Sequence, residues 1–269
     1  MPTPDPAPKH NDPVRIQITD GPAVPDAKDP GLFTAWSLSV FGAGGLLVFL
    51  CLRYPDPYWT IVQLLPEGIK VTFMVTLYAI CLTIPLGCLV GIGRLSRFKP
   101  INLLTSVYVE VIRGIPLLVQ LFYIYFGLSW YLKVPATVAA VISLSFCYGA
   151  YMGEVFRAGI SAIPKGQTEA ARSLGFSRFQ TMRYIILPQA MRTILPPVGN
   201  ECIALLKDTS LISIVAVADM FRIGRMFASK TFLYFETYTV VALFYLIITL
   251  ILSKCVSIME ARLSHYDRR

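Results

Sequence analysis

Residues 71–93 read VTFMVTLYAICLTIPLGCLVGIG, a run of 23 residues without a charged side chain. A helix needs about 20 apolar residues to cross the roughly 30 Å hydrocarbon layer of a bilayer. Inside that layer no water is available to the backbone, so a crossing segment must satisfy its own hydrogen bonds. The run therefore predicts a membrane-spanning α-helix.

Five further segments on either side of this run have the same character. Four of them lack charged residues: 32–52, 114–132, 134–153 and 237–253. The fifth, residues 193–218, is less regular because Glu201, Lys207 and Asp208 interrupt it. The chain is therefore predicted to be an all-α integral membrane protein with about six transmembrane helices.

The composition agrees with a membrane protein and argues against other classes. Hydrophobic residues make up 55% of the chain and charged residues 15%, against about 25% charged in an ordinary soluble domain. The net charge of +8 comes from basic residues in short loops between apolar runs, a distribution typical of membrane topology rather than of nucleic-acid binding. The six cysteines form no CxxC pair, so neither a disulfide framework nor a metal site is predicted.

The placement of lysine and arginine predicts the orientation. Positively charged residues collect on the cytoplasmic side of membrane proteins. If there are six spans, the three most basic regions fall on one side, which places the N- and C-termini in the cytoplasm. These regions contain Arg94, Arg97 and Lys99; Arg157, Lys165, Arg172, Arg178, Arg183 and Arg192; and Arg262, Arg268 and Arg269. The loop with Arg222, Arg225 and Lys230 is an exception on the opposite side.

Residues 1–31 differ in composition from the rest of the chain. They are rich in proline and contain five aspartates against three basic residues. Such a segment cannot bury much apolar surface, and it lacks the short basic start of a signal peptide. We therefore expect a flexible cytoplasmic tail, followed by a retained first span at residues 32–53.

Residues 158–192 are too polar to lie in the membrane and predict two short helices. Glu169 is expected in the first turn of one helix, where the helix dipole favours an anion. Gly175 is placed to end that helix in a left-handed conformation. Ser177 followed by Gln180 predicts a capping box for the second helix, and Pro188 is expected near its end. The pattern favours a docking surface for a partner, and the alternative is an interfacial amphipathic loop without one.

The same segment carries a specific motif. It contains Glu169-Ala170-Ala171, three residues, Gly175, nine residues, Ile185, one residue and Leu187-Pro188. It resembles the EAA loop of inner-membrane permeases of ATP-binding-cassette (ABC) importers, and it matches their pattern EAA-x3-G-x9-I-x-LP at each fixed position. Three further stretches resemble the histidine/glutamine type of polar amino-acid permease: VEVIRGIPLLVQ at 109–120, GAYMGEVFR at 149–157 and LLKDTSL at 205–211.

The resemblance covers residues 65–263 and implies a permease transmembrane domain with a five-helix type I importer core. The span at residues 32–53 is then an extra N-terminal helix. The loop at 158–192 becomes a cytoplasmic coupling loop in which Glu169, Ala170, Ala171 and Gly175 contact a separate ATPase. The implied location is the bacterial inner membrane, which the chain crosses several times.

The resemblance also implies the partners. They are an ABC ATPase dimer, a second permease subunit that is the same or a homologous chain, a solute-binding receptor, an amino-acid substrate and membrane lipid. The chain has no G-x-x-x-x-G-K-[ST] phosphate loop. We therefore expect ATP and magnesium on the ATPase, no cofactor on this chain and no enzymatic activity of its own.

Charged residues within spans are rare and often functional. The candidate substrate-binding residues are Glu154, Tyr151, Glu110, Arg113 and Asp208. Tyr148 and Tyr151 could line a cavity, and the resemblance implies that a carboxylate at Glu154 helps to hold the cationic group of the substrate. The alternative for each acid–base pair three residues apart is a salt bridge at a helix end. Asp208 could bridge to Lys207 or line the pathway.

Two proline sites predict broken helices. They are the sequence Arg113-Gly114-Ile115-Pro116 and the pair Pro196-Pro197, and such breaks are tolerated at membrane depth where they face protein or a water-filled cavity. The predicted function is the permease subunit of an ATP-driven amino-acid importer that works by alternating access. The alternative is an ion-gradient-driven secondary transporter or channel, which would leave the EAA loop unexplained.

Overall fold

The computed structural model describes residues 34–264, and every regular element in that range is a helix. The predicted flexible tail at 1–31 lies outside the described residues. The helices are α1 (Ala35–Arg53), α2 (Pro55–Arg94), α3 (Lys99–Gly114), α4 (Leu117–Tyr131), α5 (Ala136–Ser161), α6 (Lys165–Ser173), α7 (Arg178–Gln180), α8 (Leu187–Asp208), α9 (Met220–Thr231) and α10 (Tyr234–Ser264). A π-helical stretch, Thr181–Ile186, joins α7 to α8, and a 3₁₀ helix, Thr209–Val215, follows α8.

Four helices of the described chain are long and apolar enough to cross a membrane singly, namely α1, α2, α5 and α10. The pair α3 and α4 passes the same test together but is bent by 104°. The prediction of an all-α membrane protein is confirmed, and the count of six spans is approximate. Helix α8 covers most of the irregular fifth span, and its charged residues Glu201, Lys207 and Asp208 lower its apolar character.

Helix α2 is longer than the uncharged run that predicted it. The run begins at residue 71, but the helix begins at Pro55 and contains 40 residues. Glu67 and Lys70 interrupt the apolar pattern without interrupting the backbone hydrogen bonds, and both side chains are exposed. Charge therefore marked the edge of the apolar run and not the end of the helix.

The centre of the bundle is the contact between α2 and α5, which is the most extensive helix pairing in the described chain. Glycines on both helices let the backbones approach closely. A Cβ atom at Gly87 would lie 2.3 Å from the Cβ of Met152, and one at Gly91 would lie 2.6 Å from the Cβ of Phe156. Small residues have this role in membrane helix packing because close approach provides van der Waals contact that lipid cannot replace.

The two proline sites behave differently. The break at Ile115-Pro116 is confirmed, since α3 ends at Gly114 and α4 starts at Leu117 after a sharp bend. The Gln120 side chain donates hydrogen bonds of 2.7 Å to the carbonyls of Ile112 and Ile115 and so satisfies acceptors that the bend sets free. This bend positions the cavity described below.

The break predicted at Pro196-Pro197 is wrong, because α8 continues through both residues. The irregular backbone lies instead at the two ends of α8, as a π-helix before it and a 3₁₀ helix after it. Proline removes a single backbone donor, and packing of α8 against α5 and α10 holds the helix together despite that loss.

Candidate functional site

A cavity of about 440 Å³ lies where the bend between α3 and α4 faces α5 and α8. Helix α5 contributes Cys147, Tyr148 and Tyr151 to its wall. The bend itself contributes Arg113, Gly114, Ile115, Pro116 and Leu117, and α8 contributes Glu201, Ala204 and Asp208. Broken helices expose backbone dipoles at membrane depth, which is the usual construction of a polar solute site in transporters.

The charged groups of this cavity come from two elements. Arg113 lies in the last turn of α3, and its guanidinium carbon lies 5.0 Å from the centre of the Tyr151 ring. Asp208 accepts a hydrogen bond of 2.7 Å from the hydroxyl of Tyr148. Glu201 is the second carboxylate and is half-buried. One cation and two anions therefore face the same space.

Three of the five predicted substrate-binding residues, Arg113, Tyr151 and Asp208, line this cavity. Glu110 lies on the exposed side of α3 and does not line it. Lys207 does not bridge to Asp208; it lies along a separate cavity with Tyr238 and Tyr245. Of the two alternatives for Asp208, the structure therefore excludes the bridge to Lys207 and places Asp208 in the wall of this cavity.

Glu154 also lies outside the cavity, near the end of α5. Its carboxylate forms ion pairs with Arg94 at the end of α2 and with Arg157 one turn further along α5. The bond from the Arg157 Nη2 atom is 3.0 Å long. These contacts join the ends of α2 and α5, and they match the helix-end salt bridge considered for this pair.

Glu201 was not among the predicted substrate-binding residues. Its signal was present in the sequence, because Glu201 and Asp208 are seven residues apart, about two turns, and therefore share a helix face. The interrupted hydrophobicity of the fifth span indicated that these charged residues are unusual. It did not indicate which neighbouring helix their face of α8 would contact. Only the packing of α8 against α5 shows that this face is turned towards the bend.

The loop between α5 and α8 has most of the predicted local structure. Gly175 has a φ of 84°, and it ends α6 in a Schellman motif. The Phe176 amide donates to the carbonyl of Ala171 and the Gly175 amide to that of Arg172, each at 3.1 Å. Ser177 and Gln180 form the predicted capping box at the start of α7.

Two details of this loop differ from the prediction. Helix α6 begins at Lys165, so Glu169 lies in its second turn and not in its first. The second helix does not end at Pro188 but continues through the π-helical stretch into α8. In that stretch the Leu187 amide donates to the carbonyl of Met182, five residues earlier. This wider register removes the need for the ordinary helical donor that Pro188 lacks.

The predicted coupling residues lie on α6 and at the turn that ends it. Glu169 and Ala170 are exposed on α6, whereas Ala171 is buried against the rest of the loop. Helix α6 packs against the π-helical stretch, and Gln189 donates to the side chain of Gln167 at 3.4 Å. The loop is therefore a supported unit with one free face. We call α6, α7 and the π-helical stretch the lever.

Residues 83–265 match the sequence profile of the family described as binding-protein-dependent transport system inner membrane component. The chain belongs to this permease family. The permease is 39% identical over 208 residues to the glutamine transport system permease protein GlnP of Escherichia coli, covering 76% of this chain and 95% of that protein. It is 40% identical to the probable glutamine ABC transporter permease protein GlnM of Bacillus subtilis, covering 73% and 92%.

A solved structure agrees with these relatives. The permease superposes on a chain from a crystal structure of an amino acid ABC transporter with histidines, with a TM-score of 0.72 and 42% identity over 75% of this chain and 94% of that one. An inward-facing MetNI methionine ABC transporter chain shares the fold, with a TM-score of 0.57 at 18% identity. The type I importer fold is confirmed. These relatives support an importer permease rather than an ion-gradient-driven transporter or channel, and they are transporter components and not enzymes.

Proposed function

We propose that this permease forms the translocation pathway of an ATP-driven amino-acid importer and that its substrate occupies the cavity between α3–α4, α5 and α8. The principal support is the set of charges in that cavity. A guanidinium is the natural partner of an α-carboxylate, and a carboxylate is the natural partner of an α-ammonium group. The cavity volume falls in the range usual for small-molecule sites, about 300–1,000 Å³.

The second carboxylate narrows the substrate class. Once Arg113 pairs with the substrate carboxylate and one acid pairs with its ammonium group, Glu201 or Asp208 remains for the side chain. A carboxylate has several acceptor sites, and one donor such as the Tyr148 hydroxyl on Asp208 does not fill them. Leaving such sites unfilled in a buried place is costly, so the substrate side chain should donate hydrogen bonds or carry positive charge. Glutamine, named for two relatives, and the basic amino acids satisfy this condition, whereas glutamate and leucine do not.

The proposed orientation places the lever in the cytoplasm together with both termini. Arg97 shares a cavity with residues of the lever, so the basic connection between α2 and α3 lies at the same end of the bundle as the lever, in agreement with the positive-inside tendency. Two of the three basic residues that form the exception in the sequence have a structural role. Arg222 and Arg225 both donate to the carbonyl of Ser213, at 3.1 and 3.2 Å. Because both side chains stabilise the end of the 3₁₀ helix, their position is a weak indicator of membrane orientation.

The proposed coupling uses the free face of the lever. Glu169 and Ala170 dock on an ATPase dimer that binds ATP and magnesium, and closure of that dimer moves α8, which is continuous with α7. A second permease, the same or a homologous chain, completes the pathway, and a solute-binding receptor delivers the amino acid from outside. The EAA motif and the absence of a phosphate loop in the sequence both favour this division of labour.

Reconstitution tests the proposal. The permease is co-expressed with its ATPase and receptor, placed in liposomes, and assayed with radiolabelled amino acids. We expect nucleotide-dependent uptake of glutamine or of a basic amino acid, with little uptake of glutamate or leucine. Uptake that needs only an ion gradient, or a complex that never contains an ATPase, would overturn it.

A further inference from the structure

A second polar cavity, about 340 Å³ in volume, lies at the lever end of the bundle and is separate from the substrate cavity. Three segments form it. Arg97 comes from the connection between α2 and α3, Thr168 and Arg172 come from α6, and Arg178 with Thr181 comes from α7 and the start of the π-helical stretch. Three guanidinium groups and two hydroxyl groups thus surround one space.

This cavity contains no acidic side chain to balance its arginines. The ion pairs formed within residues 34–264 are those of Glu154 with Arg94 and Arg157, so none of the three cavity arginines takes part in one. Arg172 donates a single hydrogen bond, 2.7 Å long, to the carbonyl of Phe176. Like charges around one cavity repel one another, and an anion that enters it relieves that repulsion.

The donor set favours a phosphate group. Guanidinium groups bind phosphate oxygens in pairs with matching geometry, and the hydroxyl of Thr168 adds a further donor. The hydroxyl of Thr181 already donates to the carbonyl of Ser177. A substrate carboxylate would have its partner at Arg113, in the other cavity. The wall here also includes Met182, an apolar side chain that is 41% exposed, which suits a ligand with an apolar part.

The location favours a phosphate that is attached to a lipid. The uncharged run of α2 ends at Gly93, and Arg97 follows only four residues later, at the depth of the headgroups. Directly beyond it, Phe98 is 62% exposed, and the exposed apolar side chains of Leu103 and Leu104 continue along α3. Apolar surface therefore begins beside the basic cavity, as acyl chains attached to a bound headgroup would require. Basic pockets on the cytoplasmic side of membrane proteins bind anionic lipids in this way.

We propose that this cavity binds the phosphate headgroup of an anionic phospholipid of the inner leaflet. The inference rests on the proposed orientation, in which the lever faces the cytoplasm. A phosphate held by Arg97, Arg172 and Arg178 joins the α2–α3 connection to both helices of the lever. The bound lipid would then set how firmly the lever is held against the membrane domain.

Lipid retention is the direct test. The assembled transporter is placed in nanodiscs of phosphatidylcholine with about one third phosphatidylglycerol, and the lipids retained after detergent extraction are counted by native mass spectrometry. We expect phosphatidylglycerol to be enriched on the wild-type protein. The substitution Arg97→Gln should lower that enrichment about fivefold, the usual effect of one basic residue near an anionic membrane surface.

Arg183→Gln is the matched control, because Arg183 is an exposed arginine of the same lever and does not line the cavity. It should retain the wild-type enrichment, and Arg97→Lys should restore most of it. Equal enrichment in Arg97→Gln and Arg183→Gln, or no preference for phosphatidylglycerol, would overturn the proposal. The proposal would also be overturned if inorganic phosphate alone were retained by the protein as strongly as the lipid. Enrichment on the permease without its ATPase, but not on the assembled transporter, would assign the cavity to a protein partner and overturn the proposal too.

Lipid binding and transport are measured separately, so failure of this proposal can be told apart from failure of the proposed transport function. Lipid counting needs no transport, so it remains valid if ATP-driven uptake is absent. Conversely, uptake by the wild-type protein in phosphatidylcholine alone does not depend on the basic cavity. If the lipid acts on the lever, adding phosphatidylglycerol should raise uptake by the wild type several-fold and leave Arg97→Gln unchanged. Equal stimulation of both would overturn the mechanical role.

Discussion

The lever and the proposed substrate cavity are built in opposite ways. The lever is specified locally, since its turn is held by Gly175 and by a capping box within four consecutive residues. The cavity collects Arg113, Tyr148 and Asp208 from three helices that are far apart in the chain. A local device can be recognised from a short motif, whereas a cavity depends on how whole helices pack. The two regions should therefore respond differently to substitution.

The largest expected effect is at the free face of the lever. Glu169→Lys reverses a charge on the surface proposed to dock on the ATPase, and we expect ATP-driven uptake to fall to background while the purified permease keeps its helical content and thermal stability. Uptake in liposomes and co-purification of the ATPase measure this. Glu260→Lys makes the same charge change at an exposed site of α10 and should leave uptake unaltered; equal damage by both variants would contradict the docking role.

The next largest effect is expected in the cavity. Glu201→Gln removes a charged acceptor for the substrate, and a hydrogen bond to a charged group is worth about 1.5–3 kcal/mol. The KM for uptake should rise about tenfold to a hundredfold, with ATPase binding unchanged. Glu67→Gln, at an exposed position of α2, is the control. A KM that stays within twofold of the wild type would remove Glu201 from the substrate site.

Glu154 distinguishes a substrate role from a structural one. The resemblance predicts that Glu154→Ala raises the KM, whereas its ion pairs with Arg94 and Arg157 predict a lower melting temperature with little change in KM. From the geometry we expect the second result, with a modest loss because these side chains are partly solvated. Kinetic and thermal measurements on the same preparation separate the two, and a raised KM at unchanged stability would restore the substrate role.

The smallest expected effect concerns the turn of the lever. Gly175→Ala puts a side chain at a φ of 84°, which costs about 1 kcal/mol, and it should lower the stability of the lever and reduce uptake a few-fold. Hydrogen exchange of α6 measures the first effect. Gly166→Ala lies in the same helix with open space around it, so it should be neutral or slightly stabilising. A neutral Gly175→Ala would show that the turn does not limit coupling.

The success of prediction from sequence follows the same division. The spans, the bend at Ile115-Pro116 and the caps of the lever were predictable because each depends on neighbouring residues. The path of the chain past Pro188 was not, since a proline ordinarily marks the end of a helix and no local motif indicates the π-helical stretch that precedes it. Glu201 was not predicted to line the cavity, because the direction of its side chain depends on the packing of α8 against α5.

The glycine contacts between α2 and α5 have a mechanical consequence. Backbones this close, with Met152 and Phe156 filling the space above Gly87 and Gly91, leave no room for either helix to slide or turn against the other. Packed interfaces of this kind shift between discrete arrangements rather than deform gradually. Any rocking of the bundle must therefore move α2 and α5 together as one rigid body, and the helices around them must change position relative to this pair.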